Sequence, residues 1–305
     1  MLALVVCILA LAGGMAAAYP DFATTANAEV VAMGFVFEAF MALGMTLVIV
    51  TGGIDLSVGA VLPFAAIVTA WMLRAGAPIP AAALFALTAA AGVGLLNAGL
   101  TLGLRVHPFI VTLGTMLSLK GLNLVLTGGG PLAGLPPGFA WIGQGHAFGV
   151  PIPLLLFGAL AAALAALMGS HRFWQQTYLI GGNPRAARTS GVRVGRVLAV
   201  VYVVSAVLAA TAGVIAASIH GSASAGFGQN AELRVITAVV IGGASLRGGA
   251  GSIGGTLLGL LFLALLYNAF AMTGASTYWQ DVVTGVLVLG SALATELVKR
   301  RRART

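Results

Sequence analysis

A single carboxylate stands inside an apolar part of the chain, in the stretch Thr51–Ala60, which reads TGGIDLSVGA. Because an ionised side chain at the centre of a bilayer costs about 2.5–3.5 kcal/mol, such a residue faces protein or water. Gly52 and Gly53 let the backbone leave a helix, and Asp55 or Ser57 can cap the helix that restarts there. Asp55 then either shapes a broken helix or contacts a substrate, and both interpretations stay open. The residues of this broken-helix motif are Gly52, Gly53, Asp55, Ser57 and Gly59.

A second segment that could have a functional role is basic and reads LIGGNPRAARTSGVRVG from Leu179 to Gly195. Asn183 can cap a short helix that Pro184 begins. Two arginines and two alanines on such a helix form a small basic surface that suits a groove on a partner protein. A solvated basic loop explains the composition equally well, so both interpretations stay open here. The residues of the segment are Gly181, Gly182, Asn183, Pro184, Arg185, Ala186, Ala187, Arg188 and Gly191.

The sequence offers no signature of a catalytic or metal site. It contains no phosphate-binding GxxxxGK[ST] string, no HExxH zinc motif and no GxSxG nucleophile motif. Its one cysteine, Cys7, lies in an apolar segment, so neither a disulfide nor a cysteine–histidine metal site is predicted. We therefore expect no enzymatic activity, no metal and no cofactor. If ATP drives the protein, a different chain must hydrolyse it.

Composition places these residues in a membrane protein. Hydrophobic residues make up 60% of the chain and charged residues only 7%, with a mean hydropathy of +1.06. A soluble domain carries about 25% charged residues, so a single soluble globule is excluded. The net charge of +8 lies mostly in short loops, which indicates membrane topology rather than a nucleic-acid partner.

Apolar runs of about 20 residues are each long enough to cross a bilayer. Ten are predicted, near Leu2–Tyr19, Val30–Val50, Leu56–Leu73, Ala81–Leu102, Pro108–Leu126, Val150–Met168, Val197–Ser218, Val235–Ser245, Ile253–Ala271 and Trp279–Val298. The eighth is short and runs into the glycine-rich string GGASLRGGAGS. No connecting loop is long enough to hold a soluble domain, so residues 1–305 are expected to form one membrane domain.

Two glycine-rich strings, VIVTGGIDLSVGA and VVIGGASLRGGAGS, each end one span and begin another. Both pairs of spans run in the same direction through the predicted membrane, which hints at an internal duplication. The predicted fold is therefore all-α and polytopic, with about ten transmembrane helices and glycine breaks at 51–57 and 241–252.

Positive charge sets the predicted orientation. The loop 169–196 and the tail 299–305 hold ten of the fifteen lysines and arginines, which places both segments in the cytoplasm. Arg74 falls on the opposite side and breaks the rule. Leu2–Tyr19 is either a retained helix or, because Ala16–Ala18 resembles a cleavage site, a signal peptide. We favour retention, which leaves both termini cytoplasmic.

Five strings give the chain a family resemblance: ALGMTLVIVTGGIDLSVGA, RVHPFIVTLGTMLSLKGL, IGGNPRAARTSGV, AVVIGGASLRGGAGSIGGTLLG and YWQDVVTG. With them the chain resembles, from about Ala23 to Leu297, the permease subunit of bacterial sugar-importing ATP-binding-cassette (ABC) systems of the ribose-permease family. The first and fourth strings are specific to that family.

The resemblance implies a subunit that carries a pentose or hexose into the cell by alternating access and does no covalent chemistry. It implies a cytoplasmic ATPase subunit, an extracytoplasmic sugar-binding protein and a second permease copy or paralogue as partners. The location implied is the bacterial inner membrane. Gly181–Gly191 matches the family's coupling segment, which docks on the ATPase.

Three charged residues inside or beside predicted spans need partners. Glu38 is interpreted either as a carboxylate paired with Lys120 or a backbone donor, or as a residue that accepts hydrogen bonds from sugar hydroxyls; Asp55 is the other pathway candidate. Lys120 is expected to pair inside the protein. Glu232 is expected to pair with Arg234 or to meet the binding protein. Glu232-Leu233-Arg234 and Trp174-Gln175-Gln176 depart from the family's usual residues.

Two other functions remain possible on the sequence. A broken helix and a buried carboxylate also suit an ion- or proton-coupled secondary transporter. A related amino-acid permease shares glycine-rich breaks, although GGIDLSVG favours the sugar branch. The sequence does not name the sugar.

Overall fold

The structure is a computed structural model that describes residues 1–276, 278–287 and 289–290. Helices dominate these residues, joined by short two-residue strands and 3₁₀ turns. The helices are α1 (Leu2–Ala18), α2 (Thr25–Gly34), α3 (Val36–Val50), α4 (Val58–Arg74), α5 (Ile79–Gly103), α6 (Pro108–Thr127), α7 (Ala140–Gln144), α8 (Ile152–Ser170), α9 (Arg172–Gly182), α10 (Pro184–Thr189), α11 (Val194–His220), α12 (Ala231–Ile241) and α13 (Ile253–Met272).

Two strand pairs and two 3₁₀ turns lie between the helices. The strands are β1 (Leu132–Ala133), β2 (His146–Ala147), β3 (Val150–Pro151) and β4 (Ser222–Ala223), and the turns are Pro20–Ala23 and Pro137–Phe139. β1 pairs antiparallel with β4, with Leu132 opposite Ala223, and β2 pairs antiparallel with β3. The β1–β4 pair ties the loop after α6 to the loop after α11.

The core is centred on α11, which packs against α3, α4 and α5. Small residues allow these backbones to approach closely, as is common where membrane helices pack. A Cβ at Gly94 of α5 would lie 2.6 Å from the carbonyl oxygen of Tyr202 in α11. A Cβ at Gly44 of α3 would lie 2.7 Å from the Cα of Ser205. Helix α3 is almost wholly enclosed by its neighbours.

The helices confirm a multi-pass membrane protein but not the predicted number of spans. Within the described residues, five helices, α5, α6, α8, α11 and α13, are long and apolar enough to cross a membrane. Helices α2 and α3 meet at a bend of 50° and form a sixth span if they are taken together. Helices α1 and α4 are apolar but shorter.

The count of ten is therefore not confirmed. The eighth predicted span corresponds to α12, whose 11 residues extend only about 16 Å. The tenth, Trp279–Val298, lies only partly within the described residues, of which 278–287 are helical. The predicted cytoplasmic tail 299–305 lies outside the described residues.

The two predicted glycine breaks are present in the structure. Helix α3 ends at Val50 and α4 begins at Val58, and α12 ends at Ile241 and α13 begins at Ile253. Gly52 has a φ of 84° and Gly248 a φ of 85°, conformations that a residue with a Cβ rarely adopts. Ser252 caps the helix after the second break, since its hydroxyl accepts a hydrogen bond from the amide of Gly255 at 3.1 Å.

Candidate functional site

The short helix predicted in the basic loop is α10, Pro184–Thr189. The side chain of Asn183 accepts hydrogen bonds from the amides of Arg185 at 3.0 Å and Ala186 at 3.1 Å, so Asn183 is its N-cap. Arg185 and Arg188 are exposed, whereas Ala187 is buried against the chain's own core. The exposed surface of this helix is therefore formed by Arg185, Arg188 and the smaller residues beside them, and not by Ala187.

A second helix in the same loop was not foreseen from the sequence. Helix α9, Arg172–Gly182, begins at His171, whose ring nitrogen accepts a hydrogen bond from the amide of Phe173 at 3.3 Å. It contains Trp174-Gln175-Gln176 and packs against α3, α8, α10 and α11. Its C-terminal glycines carry the chain from the membrane helices to α10.

Three glycine-rich segments meet at the end of α9. The amide of Gly249 donates a hydrogen bond to the carbonyl oxygen of Val50 at 2.8 Å, which joins the two helix breaks directly. Gly181 lies against both of those atoms, and a Cβ there would come closer to each than the 3.0 Å that real Cβ atoms respect. We call the contact among residues 50–53, 181–182 and 247–251 the glycine junction.

Further contacts close the glycine junction. A Cβ at Gly248 would lie 2.7 Å from the amide nitrogen of Gly52 and 2.8 Å from the Cα of Gly181. The hydroxyl of Tyr178 on α9 donates a hydrogen bond to the carbonyl oxygen of Gly251 at 3.0 Å. At Gly52, Gly181 and Gly248 backbone thus touches backbone directly, so a displacement of one segment there pushes on the next. Each of the three glycine-rich segments can be recognised in the sequence, but only the fold shows that they contact one another.

Asp55 lies in the first break and is completely buried. Its Oδ1 accepts hydrogen bonds from the amide of Ser57 at 3.1 Å and the hydroxyl of Ser57 at 2.5 Å. Its Oδ2 accepts a hydrogen bond from the hydroxyl of Ser205 on α11 at 3.0 Å. The side chain of Asn97 donates to Ser57 Oγ at 2.9 Å, and Thr115 donates to Asn97 at 2.7 Å. This network fixes the turn between α3 and α4.

The prediction that Glu38 pairs with Lys120 or a backbone donor was wrong. Glu38 Oε1 accepts hydrogen bonds from Arg234 Nη2 at 2.7 Å and Arg234 Nε at 3.1 Å, whereas Lys120 Nζ lies 3.2 Å from Glu232 Oε1. Lys120 does pair inside the protein, as expected, and Glu232 does not pair with Arg234. Residues two apart on a helix point in nearly opposite directions, so Glu232 and Arg234 meet different neighbours.

Gly59 makes room for the side chain of Glu232 rather than shaping the break between α3 and α4. A Cβ at Gly59 on α4 would overlap the carboxylate of Glu232, so only glycine leaves room for that side chain. The pathway roles predicted for Glu38 and Asp55 are not tested by these contacts and remain predictions.

Comparison with known proteins supports the resemblance found in the sequence. Residues 27–292 match the family described as branched-chain amino acid transport system / permease component. The ribose import permease protein of Bacillus subtilis (strain 168) is 39% identical over 258 residues, covering 84% of this chain and 80% of that protein. The ribose import permease protein of Escherichia coli (strain K12) is 37% identical over 278 residues, covering 90% and 87%.

A third relative has a different named cargo. The autoinducer 2 import system permease protein of Yersinia enterocolitica is 35% identical over 261 residues, covering 84% of this chain and 79% of that protein. No solved structure matches the chain. The chain therefore belongs to the family of transport-system permease components that also contains the ribose and autoinducer 2 import permeases.

Proposed function

We propose that this chain is the membrane-spanning subunit of an ABC importer that carries a monosaccharide, a pentose or hexose, into a bacterial cell. The named cargoes of its relatives support a sugar. The observation that carries the proposal is the glycine junction, because it connects a basic loop helix to both broken helices through backbone contacts.

The partners follow from this proposal. A separate cytoplasmic ATPase docks on the exposed arginines of α10 and uses the ATP, so the chain itself needs no cofactor. An extracytoplasmic sugar-binding protein delivers the sugar, and a second permease copy or paralogue completes the pathway. The chain lies in the inner membrane with both termini in the cytoplasm.

The geometry supports a specific route for coupling. Closing of the ATPase displaces α10 and, through Asn183, the end of α9 at Gly181. Val50 and Gly249 lie against Gly181 and are hydrogen-bonded to each other, so the ends of α3 and α12–α13 move together. Packed interfaces switch between discrete arrangements rather than deform gradually, as alternating access requires. Asp55 keeps the first break in shape while it moves.

Reconstitution tests the proposal. The importer, assembled in proteoliposomes with its ATPase and its loaded binding protein, is expected to take up D-ribose or another monosaccharide only when ATP is present. A protonophore is expected to leave that uptake unchanged. Uptake that a protonophore abolishes while ATP persists would instead identify a secondary transporter.

The description of the matching family makes amino acids the competing cargo. Leucine and valine, offered in the same proteoliposomes, are expected neither to be taken up nor to compete with the sugar. Uptake of leucine without sugar uptake would overturn the choice of substrate class while leaving the coupling route intact.

A further inference from the structure

A basic cavity lies between the turn that joins α5 to α6 and the short helix α10. Its volume is about 800 Å³, and its walls include Arg105 and His107 of the turn and Arg188 of α10. Among the described residues no carboxylate lines it. Neither arginine forms an ion pair in that part of the chain, so both guanidinium groups are available to bind an anion.

The histidine in the turn is also available as a donor. His107 Nδ1 accepts a hydrogen bond from the amide of Phe109 at 3.3 Å, at the start of α6. A neutral imidazole that accepts at Nδ1 carries its proton at Nε2, so the second ring nitrogen donates. The exposed His107 thus adds an N–H donor to the two guanidinium groups. Such a set of donors suits the oxygens of a phosphate group.

The cavity lies at the level of the lipid head groups. Helices α5 and α6 are each long and apolar enough to cross a membrane, so the turn between them, residues 104–107, lies at the membrane surface. Leu104 and Ile110, on either side of the basic residues, are 69% and 61% exposed. Exposed apolar residues beside available cations are typical of a segment that lies against a bilayer.

An apolar groove continues from the cavity between the same two helices. Its volume is about 440 Å³, and most of its lining is aliphatic, including Leu96, Leu100 and Ile110. Val106 lines both the cavity and the groove. A soluble anion or the carboxylate of a partner protein would use only the cavity. A phospholipid uses both, with its phosphate among the donors and an acyl chain along the groove.

We propose that the cavity and the groove together bind one anionic phospholipid, of the phosphatidylglycerol type, from the leaflet on the α10 side. Basic pockets between membrane helices on the cytoplasmic side bind anionic head groups. Arg105 holds the phosphate from the α5–α6 turn and Arg188 holds it from α10, whereas Arg185 does not line the cavity and stays available to the ATPase. Thr51 also lines the cavity, so the lipid links α10 to the first helix break.

Native mass spectrometry of the purified full-length chain, titrated with lipid in detergent, tests the site without any variant. Palmitoyl-oleoyl phosphatidylglycerol is expected to bind more tightly than palmitoyl-oleoyl phosphatidylcholine, whose ammonium group cancels the phosphate charge. Inorganic phosphate in excess, at constant ionic strength, is expected to leave the lipid bound because it cannot use the groove. Equal affinity for the two lipids would overturn the proposal. Displacement by inorganic phosphate would also overturn it and would identify a site for soluble anions.

Arg105→Asn removes one charge from the cavity. Arg105 has a φ of 57°, a left-handed conformation that asparagine tolerates, so the turn is expected to keep its shape. Affinity for phosphatidylglycerol is expected to fall at least about five-fold, while affinity for phosphatidylcholine stays unchanged. The control Arg172→Asn removes an exposed arginine of the same basic loop that does not line the cavity, and it is expected to bind as wild type. Equal losses in both variants would overturn the proposal, because charge alone would then attract the lipid.

Gly114→Leu tests the groove separately from the charges. Gly114 of α6 lines the groove, and a Cβ there meets no atom within 4 Å in the described part of the chain, so the new side chain occupies the groove without overpacking the core. Gly121 lies two turns further along α6, has the same open space and does not line the groove. Gly114→Leu is expected to weaken phosphatidylglycerol binding, and the control Gly121→Leu is expected to preserve it. Wild-type affinity in Gly114→Leu would overturn the proposal.

A carboxylate of the ATPase is the competing occupant of the cavity. If it fills the site, Arg105→Asn loses binding of the ATPase, measured by co-purification, while lipid binding stays at the wild-type level. That result would overturn the proposal. The lipid titrations use the permease chain alone and do not depend on its cargo, so their outcome is independent of the proposed transport function.

Discussion

Replacing Gly181 by alanine tests the glycine junction at its most crowded point. The new Cβ would come closer than 3.0 Å to Val50 O and to Gly249 N, where ordinary contacts are 3.4–4 Å. Both obstacles are backbone atoms, so no side chain can turn away, and the segments must separate. Overpacking of this kind costs about 1–3 kcal/mol. If that energy acts on the coupled movement, transport per ATP falls about 5–150-fold.

The neighbouring residue provides a matched control. A Cβ at Gly182 meets no atom within 4 Å in the described part of the chain, and neither glycine has a positive φ. Gly181→Ala and Gly182→Ala thus change the flexibility of α9 by the same amount, and only the first places its new Cβ against other backbone atoms of the junction. Purified importers are compared for sugar uptake and ATP hydrolysis at equal assembled amounts. Gly181→Ala should hydrolyse ATP with little uptake, and Gly182→Ala should behave as wild type.

One result would refute this reasoning. If both variants assemble and carry sugar at the wild-type ratio of sugar to ATP, the contacts of Gly181 do not transmit movement. A Tyr178→Phe variant adds a milder test, because it removes only the hydrogen bond to Gly251 O and inserts no atom. It should lower the same ratio by a smaller factor without loss of assembly.

Three further predictions follow from the loop, the topology and the ion pairs. Arg188→Glu reverses an exposed charge on α10 and should abolish stimulated hydrolysis and uptake while the permease stays in the membrane; normal uptake would remove the docking role. A reporter fused after Arg196 should be found in the cytoplasm, and one fused near Gly138 should be found outside. Finding both reporters on the same side of the membrane would refute the predicted orientation. Glu38→Gln leaves Arg234 without its carboxylate and should lower the yield of folded protein, because the pair is largely buried and breaking a fully buried pair costs about 3–5 kcal/mol. Neutralising Arg234 in the Glu38→Gln variant should restore the yield, measured by size-exclusion chromatography. If neutralising Lys120 restored it instead, the pairing of Glu38 with Arg234 would be contradicted.

Local signals explain what the sequence predicted correctly. Glycine weakens a helix, and the longer glycine-rich strings mark the breaks after Val50 and Ile241, which could therefore be placed without tertiary information. Asn183 followed by Pro184 is a helix start by its own chemistry, and α10 begins there. These features depend on residues close together in the chain.

Contacts between distant residues explain what the sequence missed. Glu38 and Arg234 are 196 positions apart, so their pairing depends on how α12 is rotated against α3. The same limit hid the meeting of Val50, Gly181 and Gly249. Ala187 was grouped with the exposed loop, but its burial depends on how α10 packs on the core. The number of spans stays unconfirmed at α12, since its 11 residues are too few to cross a membrane alone.

The central claim is that the end of α9 and the second break move as one body during the ATP cycle. Spin labels at Gly182→Cys and Ala250→Cys, both exposed positions within the glycine junction, report the distance between them by pulsed electron paramagnetic resonance. A second pair, Gly182→Cys with Leu104→Cys at the exposed end of α5, reports movement against the surrounding helices. The account predicts that vanadate trapping changes the second distance and leaves the first unchanged. A change in the first distance as large as in the second would contradict it.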